Sequence, residues 1–561
     1  MIDIARSVTE RVPVFALPGA LLRKPALKLL QKLTHESEFN ASLCEQRGVG
    51  CLDFIDQLFD KFNFTYQISA RDRQNIPAQG RVVIIANQPL ASLDALAVLR
   101  LVGEFRRDIK LVVEDSTNDL MCLSPLVIQS NDPLTTEQMV VNALDNEQAV
   151  IIFPAGGLAK TRQNASQKAR WRPEFLNYCR QTQTPVLPVL IQRQKRFLAF
   201  SSDLLSKPLK PLLFRNRAVP ASIVKFRVGE LISPGALSHS QLNDRALLQR
   251  IKKHLLKLRR DAISNFVTVK TIAHPEDRGE LQKELKQATV LGETRDNNVI
   301  YLASFDSYTL MLEIGRMREY TFRKVGEGTG SRRDLDTYDR DYHHLVLWNQ
   351  EQLEIAGAYR LGHVKTLMRQ HGVNGLYTSS LFNFLPAFSP FLPEAVELGR
   401  SFVSPKYWGK NSLDYLWQGI GAYFRHNPDV RYVFGPVTIS ADYPMVLTEE
   451  LVFYYEHYFS NKETLAVGKM PFTIARERHQ ALTEKYRGLE KDEGMKLLQE
   501  TFSNAGYKMP VLFKQYASLY EEGGFHLLAF NIDPDFSDCI DGLFIADLTK
   551  LKASKRKRYI G

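Results

Sequence analysis

In this 561-residue chain, acidic and arginine side chains gather at short spacings between positions 318 and 400. Arg318 and Phe322 stand four apart in a helical pattern, and so share one helix face. Asp334-Leu335-Asp336-Thr337-Tyr338-Asp339 comes next, then Arg360, then Glu397-Leu398-Gly399-Arg400. Carboxylates hold a cationic amine, and guanidinium groups hold a carboxylate through paired hydrogen bonds, so the set suits a free amino acid. A glutamate close to an amine can receive its proton as the nitrogen attacks. The plainer alternative for Asp336/Asp339 and Glu397/Arg400 is ion pairing that serves only the fold. Further on, Lys406-Tyr407-Trp408-Gly409-Lys410-Asn411 precedes a helical pattern that starts near Leu413, and the free amides of a helix N-terminus suit a phosphate. In the first half, Asn87-Gln88-Pro89-Leu90-Ala91-Ser92-Leu93-Asp94-Ala95 holds one titratable side chain, Asp94.

These residues need elements to place them. Arg81–Ala86, Leu111–Glu114, Ala149–Phe153 and Val186–Ile191 are short β-branched runs that predict buried strands. Helical patterns at Ala95–Leu101, Thr136–Leu144 and Glu174–Gln181 lie between them, and the alternation predicts a mostly parallel sheet. Ser222–Val228 and a basic helix over Asp244–Ser264 close this half. The polar stretch His274–Gly292 marks the junction, which gives domains over 1–272 and 290–561. In the second half, Asn298–Ala303, Leu345–Trp348, Glu354–Leu361, Glu397–Val403 and Tyr432–Val437 read as strands. Tyr308–Lys324, Leu413–Arg425 and Pro444–Tyr458 read as helices, in a mixed α/β layout with a central antiparallel sheet. The fold class is therefore α/β in two domains.

Length alone implies more than one core. A hydrophobic fraction of 44% and a charged fraction of 24% are those of a globular protein. No apolar run reaches the roughly 20 residues needed to cross a bilayer, and the N-terminus MIDIARSVTERVP carries charges where a signal peptide has an apolar core. Cys44, Cys51, Cys122, Cys179 and Cys539 have no metal-ligand spacing and read as thiols in a reducing compartment. No metal site is expected. The net charge of +11 calls for an anionic partner. Between Gln192 and Val228, basic residues interleave with Phe and Leu and Asp203 is the lone acid; Leu21–Leu33 has the same character. Both stretches suit a lipid surface rather than nucleic acid.

Four segments in order resemble the lysophospholipid (glycerolipid) acyltransferases: Asn87–Ala95, Phe153-Pro154-Ala155-Gly156-Gly157, Trp171–Phe175 and Pro185–Val189. The resemblance covers about 71–235 and implies an O-acyltransferase whose histidine base is here Gln88, an amide that cannot take a proton. Asp94 is then the remaining candidate base, with Gln88 and Gly156 at the substrate. Ala155 in place of the family's Glu argues against glycerol 3-phosphate as acceptor.

The second half, about 298–458, resembles the autoinducer (acyl-homoserine-lactone) synthases and the ornithine N-acyltransferases, both of the GNAT fold. That likeness implies Glu397 as base, with Arg318, Phe322, Asp336, Asp339, Arg360 and Arg400 shaping the substrate site. It also implies a pantetheine turn at Lys406, Trp408, Gly409 and Asn411, with acyl carrier protein delivering the acyl group as a 4'-phosphopantetheine thioester and no bound cofactor. The two together resemble the bifunctional ornithine lipid synthases. The implied route is N-acylation of ornithine by a 3-hydroxyacyl group, then O-acylation of the 3-hydroxyl, at the cytoplasmic face of a bacterial inner membrane. The alternative is an N-acyltransferase alone, with an inactive, membrane-docking N-terminal domain.

Overall fold

The computed structural model describes residues 50–61, 63–87, 92–113, 121–130, 132–155, 171–193, 222–238, 242–260 and 264–561. They form two compact units that divide between Thr271 and Ile272.

In the first unit, strands β1 (Phe64–Gln67), β2 (Val82–Ala86), β3 (Ile109–Val113), β4 (Val127–Gln129), β5 (Ala149–Ile152), β6 (Val186–Arg193) and β7 (Ser222–Val228) lie in the order β1-β7-β6-β2-β5-β3-β4. The short β8 (Leu231–Ile232) and β9 (Thr268–Val269) extend the sheet from β6. β2 runs parallel to both β5 and β6. Its five residues are buried on both faces, which is why they form an unbroken apolar run. Helices α1 (Cys51–Lys61) and α2 (Ser92–Val102) cover one face. α3 (Pro133–Asp145), α4 (Glu174–Gln181) and α5 (Asp244–Lys257) cover the other. Asp132 caps α3 by accepting the amide of Thr135, and Asn243 caps α5 through Ala246. The basic helix ends at Lys257 and tightens into a 3₁₀ turn over Leu258–Arg260, short of the expected Ser264.

The second unit is built on eight strands: β10 (Thr289–Glu293), β11 (Asn298–Ala303), β12 (His343–Asn349), β13 (Glu354–His363), β15 (Ala395–Val403), β16 (Tyr432–Ile439), β18 (Phe525–Asp533) and β19 (Cys539–Asp547). Their order is β10-β11-β12-β13-β15-β16-β19-β18; β14 (Phe382–Phe384) and β17 (Ala466–Gly468) pair separately. Neighbours are antiparallel except β15 and β16, which run parallel. That pair is in register only over Ala395–Glu397 and Tyr432–Phe434. Past that point the two strands part. α6 (Tyr308–Arg323) packs against β11 and β12 through Leu310, Met311, Ile314 and Met317. α7 (Ser412–His426) and α8 (Met445–Phe459) close a second core with Leu416, Ile420, Leu447 and Leu451. No helix among the described residues is long and apolar enough to cross a membrane.

Candidate functional site

The gap between the parting strands is a cavity of about 940 Å³ in the second unit. Arg400–Val403 line it from β15, and Pro436–Thr438 from β16. Phe322, Tyr359, Leu413, Met509 and Leu512 add apolar wall. Trp408, Gly409 and Lys410 line it from the turn ahead of α7. Lys410 and Lys508 are exposed and mark its open side.

Arg400 is placed by a bulge. Ala358 pairs with Phe402 and Arg360 with Gly399, so β15 carries one extra residue here. Arg400 takes up the distortion with φ of +48°, a left-handed conformation that side chains other than glycine avoid. Its guanidinium stacks 4.7 Å from the Tyr377 ring and 5.1 Å from the Phe536 ring. Nε lies 3.3 Å from Asp334 Oδ2 without hydrogen-bond geometry, and is buried without a hydrogen-bond partner.

Beneath it lies a buried ion network. Arg318 Nη1 donates to Asp339 Oδ1 at 2.8 Å, and Arg360 Nη1 donates to Asp336 Oδ1 at 2.6 Å and to Asp339 Oδ1 at 3.2 Å. Asp336 and Asp339 also form a capping box around the turn Thr337–Arg340. Nε and Nη2 of Arg360 have no hydrogen-bond partner, but its guanidinium lies 4.9 Å from the Tyr377 ring and 5.1 Å from the Tyr342 ring. His344 accepts from Arg318 at Nδ1 and donates from Nε2 to the carbonyl of Asp339, the tautomer these partners require. Burial, then Arg318, lowers its pKa to about 3, so it stays neutral.

This geometry corrects several expectations. Glu397 does not line the cavity. It is 1% exposed, and its carboxylate accepts the hydroxyl of Tyr342 and the amides of Tyr377 and Thr378, which pin a turn to β15. It therefore does not face an incoming amine. Arg318, Asp336, Asp339 and Arg360 are absent from the lining as well. Asp339 is committed to Arg318 and Arg360, whereas Asp336 pairs with Arg360 through Oδ1 and leaves Oδ2 without a hydrogen-bond partner. Lys406 pairs with Glu354 at the surface, and Asn411 stands at the N-terminus of α7 without a capping hydrogen bond. Phe322, Arg400, Trp408 and Gly409 do line the cavity.

The cavity's own acids are Glu327, Asp442 and Asp541, none of them picked out from sequence. Gly326-Glu327-Gly328-Thr329-Gly330 suggests a mobile loop, yet Glu319 accepts the amides of Thr329 and Gly330 and holds it. At Gly326, with φ of +76°, a Cβ would lie 2.1 Å from Asp442 Oδ2, so only glycine lets the two segments approach. Asp541 is 2% exposed, and Thr438 donates to its Oδ1 at 2.6 Å. Burial pushes the Asp541 carboxyl up to about 7, against Thr438. Burial, then Asp541 and Asp442, pushes Glu327 up to about 8; the residue is part-exposed but its carboxyl is deeply enclosed. No group of three His, Cys, Asp or Glu able to hold a metal occurs among the described residues.

In the first unit, Asn87 ties the end of β2 to β6: the amide of Ile191 donates to Oδ1 at 2.7 Å, and Nδ2 donates to the Ile191 carbonyl at 3.2 Å. Asp94 is fully buried on α2. Gln88 and Gly156 lie outside the described residues, as do the stretch Leu21–Leu33 and most of Gln192–Val228.

Two family models match the chain. Residues 6–210 match an acyltransferase, and residues 317–418 match an acetyltransferase (GNAT) domain. The chain is 33% identical over 280 residues to a glycine N(alpha)-acyltransferase of Phocaeicola vulgatus, covering 47% of this chain and 85% of that protein. It is 33% identical over 121 residues to an L-ornithine N(alpha)-acyltransferase of Agrobacterium fabrum, covering 20% of this chain and 40% of the other. A lyso-glycine lipid O-acyltransferase of Bacteroides thetaiotaomicron is 23% identical over 194 residues, covering 34% of this chain and 70% of its own length. The expected pairing of an N-terminal acyltransferase domain with a C-terminal GNAT domain is thus met, in a mixed α/β fold.

Proposed function

Because the chain belongs to the family of the glycine N(alpha)-acyltransferases and joins their GNAT domain to an acyltransferase domain, we propose that it builds an amino-acid lipid in two acyl transfers. The C-terminal unit N-acylates an α-amino acid; the N-terminal unit esterifies the resulting lyso-lipid. The observation that carries this reading is the cavity between β15 and β16, with one guanidinium and three carboxylates set among apolar walls. Arg400 takes the α-carboxylate. The apolar wall takes the acyl chain, and the turn at Trp408–Lys410 takes the pantetheine arm of a carrier-bound 3-hydroxyacyl thioester. Lys410 and Lys508 suit an acidic carrier protein. The chain works at a membrane surface, on the cytoplasmic face of a bacterial inner membrane.

Ornithine is the first reading, because a diamino acid brings a second ammonium group, for which Glu327, Asp442 and Asp541 offer partners. Glycine is the second reading, favoured by the names of the relatives matched over most of their length. Expression in a bacterial host without aminolipids should yield lyso- and diacyl-ornithine species by mass spectrometry. Glycine lipid masses would support the second reading, and an unaltered lipid profile would sink both. Asp94→Asn should leave the lyso-lipid and remove the diacyl product. If both products vanish in folded protein, the division of labour between the units is wrong.

A further inference from the structure

Amide formation needs a group that takes a proton from the ammonium, since a protonated amine has no lone pair with which to attack. Glu397 is turned away from the cavity, so the group must be sought among the residues that line it. Asp541 and Thr438 face each other across β19 and β16, and the hydroxyl of Thr438 fixes one carboxylate oxygen of Asp541 in the cavity wall. Glu327 reaches the same cavity from the loop after α6, which Glu319 holds in place. Arg400, the anchor for the α-carboxylate, lines it too. We infer that Asp541 takes a proton from the incoming ammonium group, and that Glu327 gives one to the departing sulfur. This assignment rests on the amide-forming reading above and names the acid and base within it.

The step balances. Asp541 accepts one proton, and the freed amine forms a C–N bond to the thioester carbonyl carbon. The C–S bond breaks, and Glu327 protonates the sulfur to give a thiol. The nitrogen's second proton passes to the Glu327 carboxylate, which restores it, and Asp541 releases its proton to water.

The charged and titratable groups around the pair are Arg400 on β15, Asp533 on β18, Cys539 on β19, Asp442 and Tyr443 after β16, and Tyr377. Arg400 favours the Asp541 carboxylate, and Asp533 opposes it. With Asp541 titrating at about 7 and Glu327 at about 8, the base is ionised and the acid still protonated in a narrow window between the two. The rate should rise through the first value and fall through the second.

The experiment uses the full chain with a 3-hydroxyacyl carrier-protein thioester and ornithine or glycine, following amide by mass spectrometry and free thiol by absorbance across pH 5–10. Asp541→Asn should lower kcat by about 10²–10³-fold and abolish the rising limb. Thr438→Val removes the hydrogen bond to the Asp541 carboxylate but no titrating group. It should move the rising limb up by about one pH unit. A folded Asp541→Asn protein within about threefold of the parent kcat, or a Thr438→Val limb that stays in place, would overturn the assignment. Absence of amide from the unaltered chain would instead remove the function on which it rests.

Discussion

Asp339→Ala is expected to cost about 3–5 kcal/mol of stability, because it strips the shared counter-charge from two buried guanidinium groups. Arg318 and Arg360 are each 1% exposed in their side chains, and both donate to Asp339 Oδ1. Arg360 would keep Asp336, but Arg318 would keep only the hydrogen bond to the neutral His344 and the more distant charge of Asp334. Calorimetry should show the C-terminal unit's transition falling by roughly 6–20 °C; a fall below about 2 °C would show that the arginines find other partners. The same network predicts acid sensitivity. Burial alone would raise the Asp339 carboxyl, but Arg318 and Arg360 outweigh it and hold it far below the usual carboxylate range. Its contribution is therefore complete above the unfolded value of about 4 and is lost as pH falls toward the depressed folded value. The Asp339→Ala protein should lose stability less steeply than its parent between about pH 4 and 2.

How far the site could be read from sequence follows from where its parts lie. Arg318, Asp336, Asp339, Arg360 and Arg400 do meet in space, as their order along the chain suggested. Their roles did not follow, because a carboxylate that holds a substrate amine and one that holds a buried arginine look alike in one dimension. Only packing separates Arg400, which the β15 bulge turns into the cavity, from Arg360, enclosed by tyrosines. Glu327 stands in the Gly326-Glu327-Gly328 segment that resembles the ornithine N-acyltransferases, but that likeness gives it no role. Asp541 lies on the strand that completes the sheet beside β16, beyond the segment to which any motif pointed. Its signal was a lone acid inside the apolar run Cys539–Ala546, since an unpaired charge in a buried strand is costly without a purpose. The strands and helices named from sequence all formed, because their periodicities repeat over whole elements, but the last hundred residues, with the strands β17, β18 and β19, carried no such reading. The basic helix ended early because the chain tightens into a 3₁₀ turn after Lys257.

Arg400→Gln should reduce kcat/KM for the amino acid by about 10²–10³-fold, the loss expected when a charged, partly desolvated pair of hydrogen bonds is replaced by one neutral contact. The side chain is 12% exposed, lies among aromatic rings, and keeps a buried Nε without a hydrogen-bond partner. Nη1 donates to the Tyr377 hydroxyl at 3.2 Å and Nη2 lies 3.5 Å from Asp336 Oδ2, and the left-handed backbone at this residue is the strain that aims the group. An anchor for the α-carboxylate should raise the KM of the amino acid while leaving the KM of the acyl thioester unchanged, since the thioester carries no such group. Ornithine and 1,4-diaminobutane differ only by that carboxylate, so they provide the decisive comparison. The parent chain should favour ornithine strongly, and Arg400→Gln should bring the two close together by weakening ornithine alone. If the substitution lowered both amines equally, Arg400 would be supporting the cavity wall rather than gripping the substrate. Arg400→Lys sharpens the distinction: it restores the charge without the planar fork, so a carboxylate anchor should recover only part of the preference.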